Sequence, residues 1–343
     1  MLDIASAFRP APGYLDTPSY GRPARATATA LRRAVRAWEH GTLDPVALDG
    51  SVARMRAAYA TLVGAQAEDV ALAGSTSQVV GMVAASLPDG ARVVVADGDF
   101  SSVCLPFLAD PRLEVVVVPL ARIVAETRRG ADLVAVSAVQ SADGAVLDLD
   151  ALAAAASASG TRTLVDASHS AGWMPMRARD FDVTVTSTYK WLGTPRGIAL
   201  AAVRPEADWV RPVGASWYGS DAPWDSLYGP DVALSATARR LDTSPPWQLV
   251  EAGAVALELL VRQGVEEIGR HSVGLANDFR ALVGLPAGDS PIVSVAGVDP
   301  RALSRAGIRA AARGGRARLG FYVYNDAKDV ETAASAIRVA QAA

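Results

Sequence analysis

The stretch "TVTSTYKWLGTPRG", residues 184–197, decides how the chain is read. It opens as an alternating, β-branched strand. Lys190 follows almost at once, between Tyr189 and Trp191, and then come glycines, a proline and an arginine. A lysine at the mouth of a buried strand is costly, because loss of water penalises its charged form. Working outward, "DVALAGSTSQVVGMVAASL" reads strand, glycine turn, helix. "ARVVVADGDF", "LEVVVVPL", "ADLVAVSAVQS", "TRTLVDASHS" and "GIALAAVRP" are short, apolar and rich in β-branched residues, with helical stretches such as "LDALAAAASASG" between them. Strands apolar on both faces that alternate with helices predict an α/β fold with a mostly parallel central sheet covered by helices.

The rest of the chain frames that sheet. Helical spacing runs from Ala24 to His40 and from Leu48 to Val63, broken by "GTLDP". After Pro205 the sequence turns loop-rich, with Trp209, Trp217 and Trp224, and a helix is predicted over 246–262. The stretch 290–326 reads as a smaller C-terminal α+β domain, with a last helix starting near Asp329. The expected division is an N-terminal segment, 1–14, packing on the small domain, a large domain over 15–245 and the small domain over 246–343.

Composition narrows the partners. A net charge of −3 gives no nucleic-acid footprint, and no uncharged apolar run approaches a membrane span. The opening residues lack a signal-peptide core, so the protein is expected in the cytoplasm, with neither nucleic acid nor membrane as partner. A single cysteine, Cys104, rules out an internal disulfide, and with three histidines in the chain no Cys/His zinc site is available by spacing, so no metal is expected.

An open parallel sheet gathers ligands at the carboxyl ends of its strands. Gly74, Ser75 and Thr76 stand at one such end and open a helix, where backbone N–H groups and the helix dipole favour an anion. Their plainer reading is a turn and cap. Asp166 ends "TLV" and has a plainer reading as a cap, His169 lies three residues on, and Phe100 closes "GDF", where an aromatic is usually core. Taken together with Lys190 they supply what pyridoxal 5′-phosphate requires: an amine to bond its aldehyde, an acid for its ring nitrogen, an anion cradle and a flat group over the ring.

The stretch "VDASHSAGWMPM…DFDVTVTSTYKWLGTPRGIALAAVRPE" resembles fold-type I pyridoxal-phosphate enzymes of the class V aminotransferase group. That group includes cysteine desulfurases, isopenicillin-N-epimerase-like proteins, kynureninases and the C–S lyase of ergothioneine synthesis. The resemblance implies that Lys190 is the Schiff-base lysine, Asp166 the partner of the pyridine nitrogen and His169 a neighbour of the ring hydroxyl. It makes Ser75, Thr76, Ser187 and Tyr189 phosphate contacts, Phe100 the ring-stacking residue and Ser141 a cofactor contact, with Gln140 beside it. Arg318, in "ARLGFYVYND", takes the place of the arginine that forks onto the substrate α-carboxylate. Arg309, Arg313 and Arg316 are read as a solvated basic face. Trp217 and Ser244 resemble cofactor-binding residues contributed to the neighbouring subunit's site across a homodimer.

The resemblance implies chemistry on an α-amino acid, with Cβ elimination, such as C–S cleavage, as the first expectation. A class V aminotransferase is the alternative. Epimerase, kynureninase-like hydrolase and a non-catalytic pyridoxal-phosphate-binding protein follow it. A conventional cysteine desulfurase is not expected, because Cys104 lies far from the position of the group's nucleophilic cysteine. Asp143 departs from the group's pattern and receives no reading.

Overall fold

The computed structural model describes residues 2–342, so Met1 and Ala343, the ends of the outer segments expected above, lie outside the described residues. Helices α1 (Arg25–Glu39) and α2 (Pro45–Val63) precede β1 (Val70–Ala73), α3 (Thr76–Ser86), β2 (Arg92–Ala96), α4 (Ser101–Leu108) and β3 (Glu114–Val118). Next come α5 (Ile123–Arg128), β4 (Leu133–Ser137), α6 (Leu149–Ser159), β5 (Arg162–Asp166), β6 (Val183–Ser187) and β7 (Ala199–Val203). The chain ends with α7 (Trp247–Gln263), α8 (Val265–Leu282), β8 (Ile292–Val295), α9 (Pro300–Arg305), β9 (Ala311–Arg313), β10 (Arg316–Gly320) and α10 (Ala327–Ala342). Helix α2 starts earlier than its apolar spacing predicts. Pro45 takes the first helical position, where its missing N–H costs nothing, and the Asp44 carboxylate caps the N–H groups of Val46 (3.0 Å) and Ala47 (3.3 Å).

Seven strands form one sheet in the order β1-β7-β6-β5-β4-β2-β3. The pairs among β2, β3, β4, β5 and β6 are parallel, and β7 runs antiparallel to both of its neighbours. Alternate residues of each strand feed opposite faces. Val94, Val134, Val136 and Val165 enter the core shared with α2 and α7. Val93, Val95, Leu133 and Leu164 enter the core shared with α3 and α4. Both faces are therefore dry, which is why these strands read as continuous apolar runs. The carboxyl ends of β1, β2, β4, β5 and β6 all open on one edge, and the loops carrying Ser75, Phe100, Ser141, His169 and Lys190 leave from it.

A second sheet, in the order β8-β10-β9, has its own core, which draws on Leu15, Leu275, Phe279, Leu319, Phe321 and Ile337 among others. Leu15 reaches it because the N-terminal segment runs beside the sheet: Leu15 N–H donates to Arg309 O (2.9 Å) and Leu15 O accepts from Gly320 N (2.8 Å). Farther along that segment, Gly21 N–H donates to Tyr189 O (2.9 Å). A Cβ on Gly21 would stand 1.7 Å from Lys190 O, so only glycine lets the N-terminal segment lie against the Lys190 loop. Among the described residues no helix is long and apolar enough to cross a membrane.

Candidate active site

Lys190 leaves the end of β6 and is 5% exposed. Its Nζ lies 2.9 Å from His169 Nε2 and 5.0 Å from the centroid of the Phe100 ring. Burial pushes the amine down to about 8. Asp166 opposes that shift, and the positive charges of Arg318, Arg313 and Arg196 reinforce it. Desolvation outweighs the attraction of Asp166 here. Asp166, at the end of β5, is itself buried and pushed up by burial, partly offset by Lys190 and by the Ser168 N–H that it accepts at 2.7 Å.

The histidine against Lys190 has an assignable proton. Trp191 Nε1 lies 3.3 Å from His169 Nδ1, and an indole N–H only donates. His169 Nδ1 is therefore the acceptor and Nε2 carries the hydrogen. That hydrogen points at Lys190 Nζ, which accepts it once the amine, pushed down to about 8, has lost its own proton. This protonation state is assigned from the bonding network. Burial, with Lys190, Arg318 and Arg313 nearby, holds His169 well below its usual range and keeps the ring neutral, which agrees. Trp191 is fixed edge-on to Tyr322, with centroids 5.1 Å apart.

Phe100 does not end β2, as the sequence reading has it. The strand stops at Ala96, and Phe100 is the residue before α4. It is 41% exposed, which removes its reading as a core aromatic. Asp99 holds it in place, a residue the sequence reading missed. One Asp99 oxygen accepts from Phe100 N (2.6 Å) and Ser137 Oγ (2.5 Å), and the other from Ser137 N (2.7 Å), tying this turn to the end of β4.

At the N-terminus of α3, Ser75 caps the helix, accepting from Gln78 N at 3.3 Å, and Thr76 Oγ1 lies 2.7 Å from Ser187 Oγ. Ser187 N–H donates to Ser168 Oγ (2.8 Å), so the ends of β5 and β6 are joined. The first N–H groups of the helix have no intrahelical acceptor. Tyr189 is half-buried, with the Arg196 guanidinium 5.1 Å from its ring centroid.

Arg318 stands on β10 and is 1% exposed. One terminal nitrogen donates to Ser141 O (2.6 Å) and Ser141 Oγ (3.1 Å), and the other donates to Ser19 Oγ (2.7 Å). Asp16 is 3.9 Å away, and Arg318 Nε and Asp16 Oδ1 both lack partners. Ser141 thus braces the arginine. Gln140 is buried, its side-chain amide donating to Ser137 O over a long 3.5 Å. Asp143 has a local role, its carboxylate accepting Ala145 N–H (2.9 Å) in the turn that Gly144 (φ 82) completes. Arg313 is exposed, as a solvated face requires, and its guanidinium also reaches Ser19 Oγ at 3.3 Å. Trp217 packs against Trp224, with centroids 5.1 Å apart, and Ser244 is exposed next to Thr243, which bonds Leu72 O in β1. No hydrogen bond or ring contact joins Trp217 or Ser244 to the Lys190 cluster among the described residues.

A seven-stranded sheet with a buried lysine and an acid at its carboxyl edge defines a fold-type I pyridoxal-phosphate enzyme. The chain belongs to the class V aminotransferase family, whose model matches residues 49–280. It is 32% identical over 226 residues to the uncharacterized aminotransferase YcbU of Bacillus subtilis (strain 168), covering 62% of this chain and 60% of YcbU. It is 33% identical over 152 residues to the kynureninase of Stenotrophomonas maltophilia (strain K279a), covering 42% of this chain and 36% of that protein. The matches thus span from about a third to three-fifths of these relatives. The apo cysteine desulfurase of Thermococcus onnurineus NA1 has the same fold, with a TM-score of 0.81 at 19% identity over 97% of this chain and 95% of that one.

The cofactor of the family is pyridoxal 5′-phosphate, and the residues present fit it. Lys190 is a buried amine whose hydrogen-bond partner is a neutral histidine, Asp166 is a buried carboxylate beside it, and Phe100 offers an open ring face. A hydroxyl pair stands at the mouth of a helix.

Proposed function

We propose that this enzyme removes the α-proton of an α-amino acid and expels a substituent from its β-carbon, with a sulfur leaving group as the leading case. The carrying observation is the Lys190–His169–Trp191 chain, which presents at the open edge of the sheet an amine that gives up its proton near pH 8. The bound cofactor supplies an electron sink for charge developing at the α-carbon. Lys190 would hold the cofactor through its aldehyde carbon and, when free, would take the α-proton at Nζ. His169 cannot pass that proton on, because its Nδ1 faces an N–H that only donates. The proton would therefore stay on Lys190, available to the departing group. Loss of the β-substituent with its electron pair, followed by water, gives a 2-oxo acid and ammonia.

Asp166 is assigned to the ring nitrogen, Phe100 and His169 to the ring, and Ser75, Thr76, Ser187 and Tyr189 to the phosphate. Arg318, with its free Nε, is assigned to the substrate α-carboxylate, and Ser141 orients it. Trp217 and Ser244 are assigned across a homodimer, where the tryptophan-rich span would bury its aromatic surface. The division at 15–245 and 246–343 is retained as part of this reading. A desulfurase reaction through the chain's own cysteine is disfavoured by Cys104, buried in α4 with its thiol pushed up to about 12 by burial.

The likeness to YcbU supports a second reading, an aminotransferase. The two separate in one assay. Holoenzyme given S-substituted cysteines without any 2-oxo acid should release pyruvate, ammonia and thiol over many turnovers. Turnover that stops after one equivalent and resumes on adding a 2-oxo acid would replace the lyase reading with the transferase.

A further inference from the structure

Arg313 and Arg318 share one hydroxyl. Ser19 Oγ accepts from Arg318 at 2.7 Å and from Arg313 at 3.3 Å, which occupies both of its lone pairs. The β9–β10 hairpin brings the two arginines together. Its two-residue turn is Gly314-Gly315, both left-handed at φ 54 and 72, the conformation that a tight hairpin of this twist demands. In the resulting register Arg313 faces Arg316 and Arg318 faces Ala311. Positions 311, 313, 316 and 318 therefore lie on one face of the hairpin. Arg316 turns aside to Ser294, donating to its Oγ at 2.8 Å, and Arg313 is left exposed on the far side of Ser19 from the buried Arg318.

The charges there do not balance. Asp16 is the carboxylate next to Arg318, at 3.9 Å. Among the described residues no carboxylate lies within 4.0 Å of the Arg313 guanidinium, whose other bond is to Ala312 O at 2.7 Å. Two guanidinium groups converging on one neutral oxygen repel each other, and the same positive charge reaches Lys190 and His169. An anion between or beside them removes that cost. One carboxylate on Arg318 leaves Arg313 without a counter-charge.

We infer that the substrate carries a second anionic group beyond its β-carbon, a carboxylate or an oxyanion of similar size, and that Arg313, steadied by Ser19, binds it. This rests on the reading of Arg318 as the α-carboxylate site and adds the substrate class: an amino acid with an acidic side chain or an acidic leaving group. Arg313 is then a specificity residue of the mouth, next to the reacting atoms and apart from the cofactor.

Binding tests it without turnover. L-glutamate and L-glutamine, and L-aspartate and L-asparagine, differ in charge at nearly constant shape and lack a sulfur leaving group. L-alanine reports on the α-carboxylate alone. Equilibrium titration of the visible absorption of the holoenzyme should give wild type about a tenfold preference for an acid over its amide, equivalent to about 1.4 kcal/mol. Raising the salt should erode that preference. Arg313→Ala should bring the ratio near one while weakening L-alanine far less, and Arg313→Lys should keep part of it. Equal binding of acid and amide by wild type overturns the inference. So does an Arg313→Ala variant that loses L-alanine as severely as L-glutamate, since both arginines then hold one carboxylate. Arg318→Ala tests the underlying reading separately, because L-alanine binding that survives it removes Arg318 from the α-carboxylate whatever Arg313 does.

Discussion

Asp166, His169, Lys190 and Trp191 belong to one short stretch of chain, whereas Ser19, Ser141, Arg313 and Arg318 come from its two ends and its middle. The first group hangs from neighbouring parallel strands, β5 and β6, whose register sets Asp166 opposite Val185. Few degrees of freedom separate its members, and hydrogen bonds from 2.7 to 3.3 Å close it. The second group meets only when the small sheet, the N-terminal segment and the turn after β4 dock together, and it keeps an unpartnered Arg318 Nε and an unpartnered Asp16 oxygen. A region fixed by the central sheet suits a cofactor that stays bound. A region assembled from distant segments, with polar atoms still unsatisfied, suits a substrate that comes and goes.

The sharpest way to break this division is to remove one residue from each side. Lys190→Ala should abolish the visible absorption of the holoenzyme and its fixation by borohydride, and lower turnover by about 10³-fold or more. Arg318→Ala should leave absorption intact and weaken amino-acid binding by about 2–5 kcal/mol, as for a buried charge pair losing one member. That is roughly 30-fold to several thousand-fold. If Arg318→Ala also strips the cofactor, the two regions are one unit.

How much of this was legible follows the same division. The strands announced themselves through runs that are apolar on both faces, and Asp166 and Lys190 stood out because a charge at such a strand end is expensive. Phe100 was legible as an aromatic at the edge but not as the residue before a helix, because nothing in "GDFSS" marks where β2 stops. Asp99 could not be found, since its meaning lies in bonds to Ser137, across the sheet. Ser19 looks like an ordinary turn residue. Arg313 and Arg316 are equivalent in an "RGGR" string, and only the packing of the hairpin sends one to Ser19 and the other to Ser294.

A smaller effect sharpens the account of the strand-end region in the cofactor-free protein. The Lys190 amine is pushed from 10.5 down to about 8, mainly by burial. Between those values the unfolded chain holds a proton that the folded chain has released. Stability contributed by this group therefore rises as pH climbs from about 8 to 10.5, and below about 8 the full cost of burying the charge is present. The span amounts to about 3 kcal/mol. Lys190→Met, which keeps the length without the charge, should be more stable than wild type at pH 7. The difference in Tm between the two should close as pH approaches 10. A Tm difference that does not change with pH would mean that Lys190 is not desolvated in the folded apoprotein.

The smallest expected effect belongs to Trp191. Trp191→Phe keeps an aromatic ring beside Tyr322 but deletes the N–H that faces His169 Nδ1. The imidazole is then free to move its hydrogen to Nδ1 and turn a lone pair on Nε2 toward Lys190. That arrangement favours the ammonium form, so the lysine should be harder to deprotonate. One net hydrogen bond is worth about 0.5–1.5 kcal/mol, which corresponds to a rise of about one pH unit or less. Because only the neutral amine bonds an aldehyde, the rate at which apoprotein takes up pyridoxal phosphate should shift its pH dependence to the alkaline side by that amount. The plateau above it should stay unchanged. Loss of packing alone would lower the plateau and leave the midpoint in place. A fixed midpoint would therefore make Trp191 a filler of space, and a displaced one would make it the residue that sets which proton His169 carries and so helps Lys190 to give up its own.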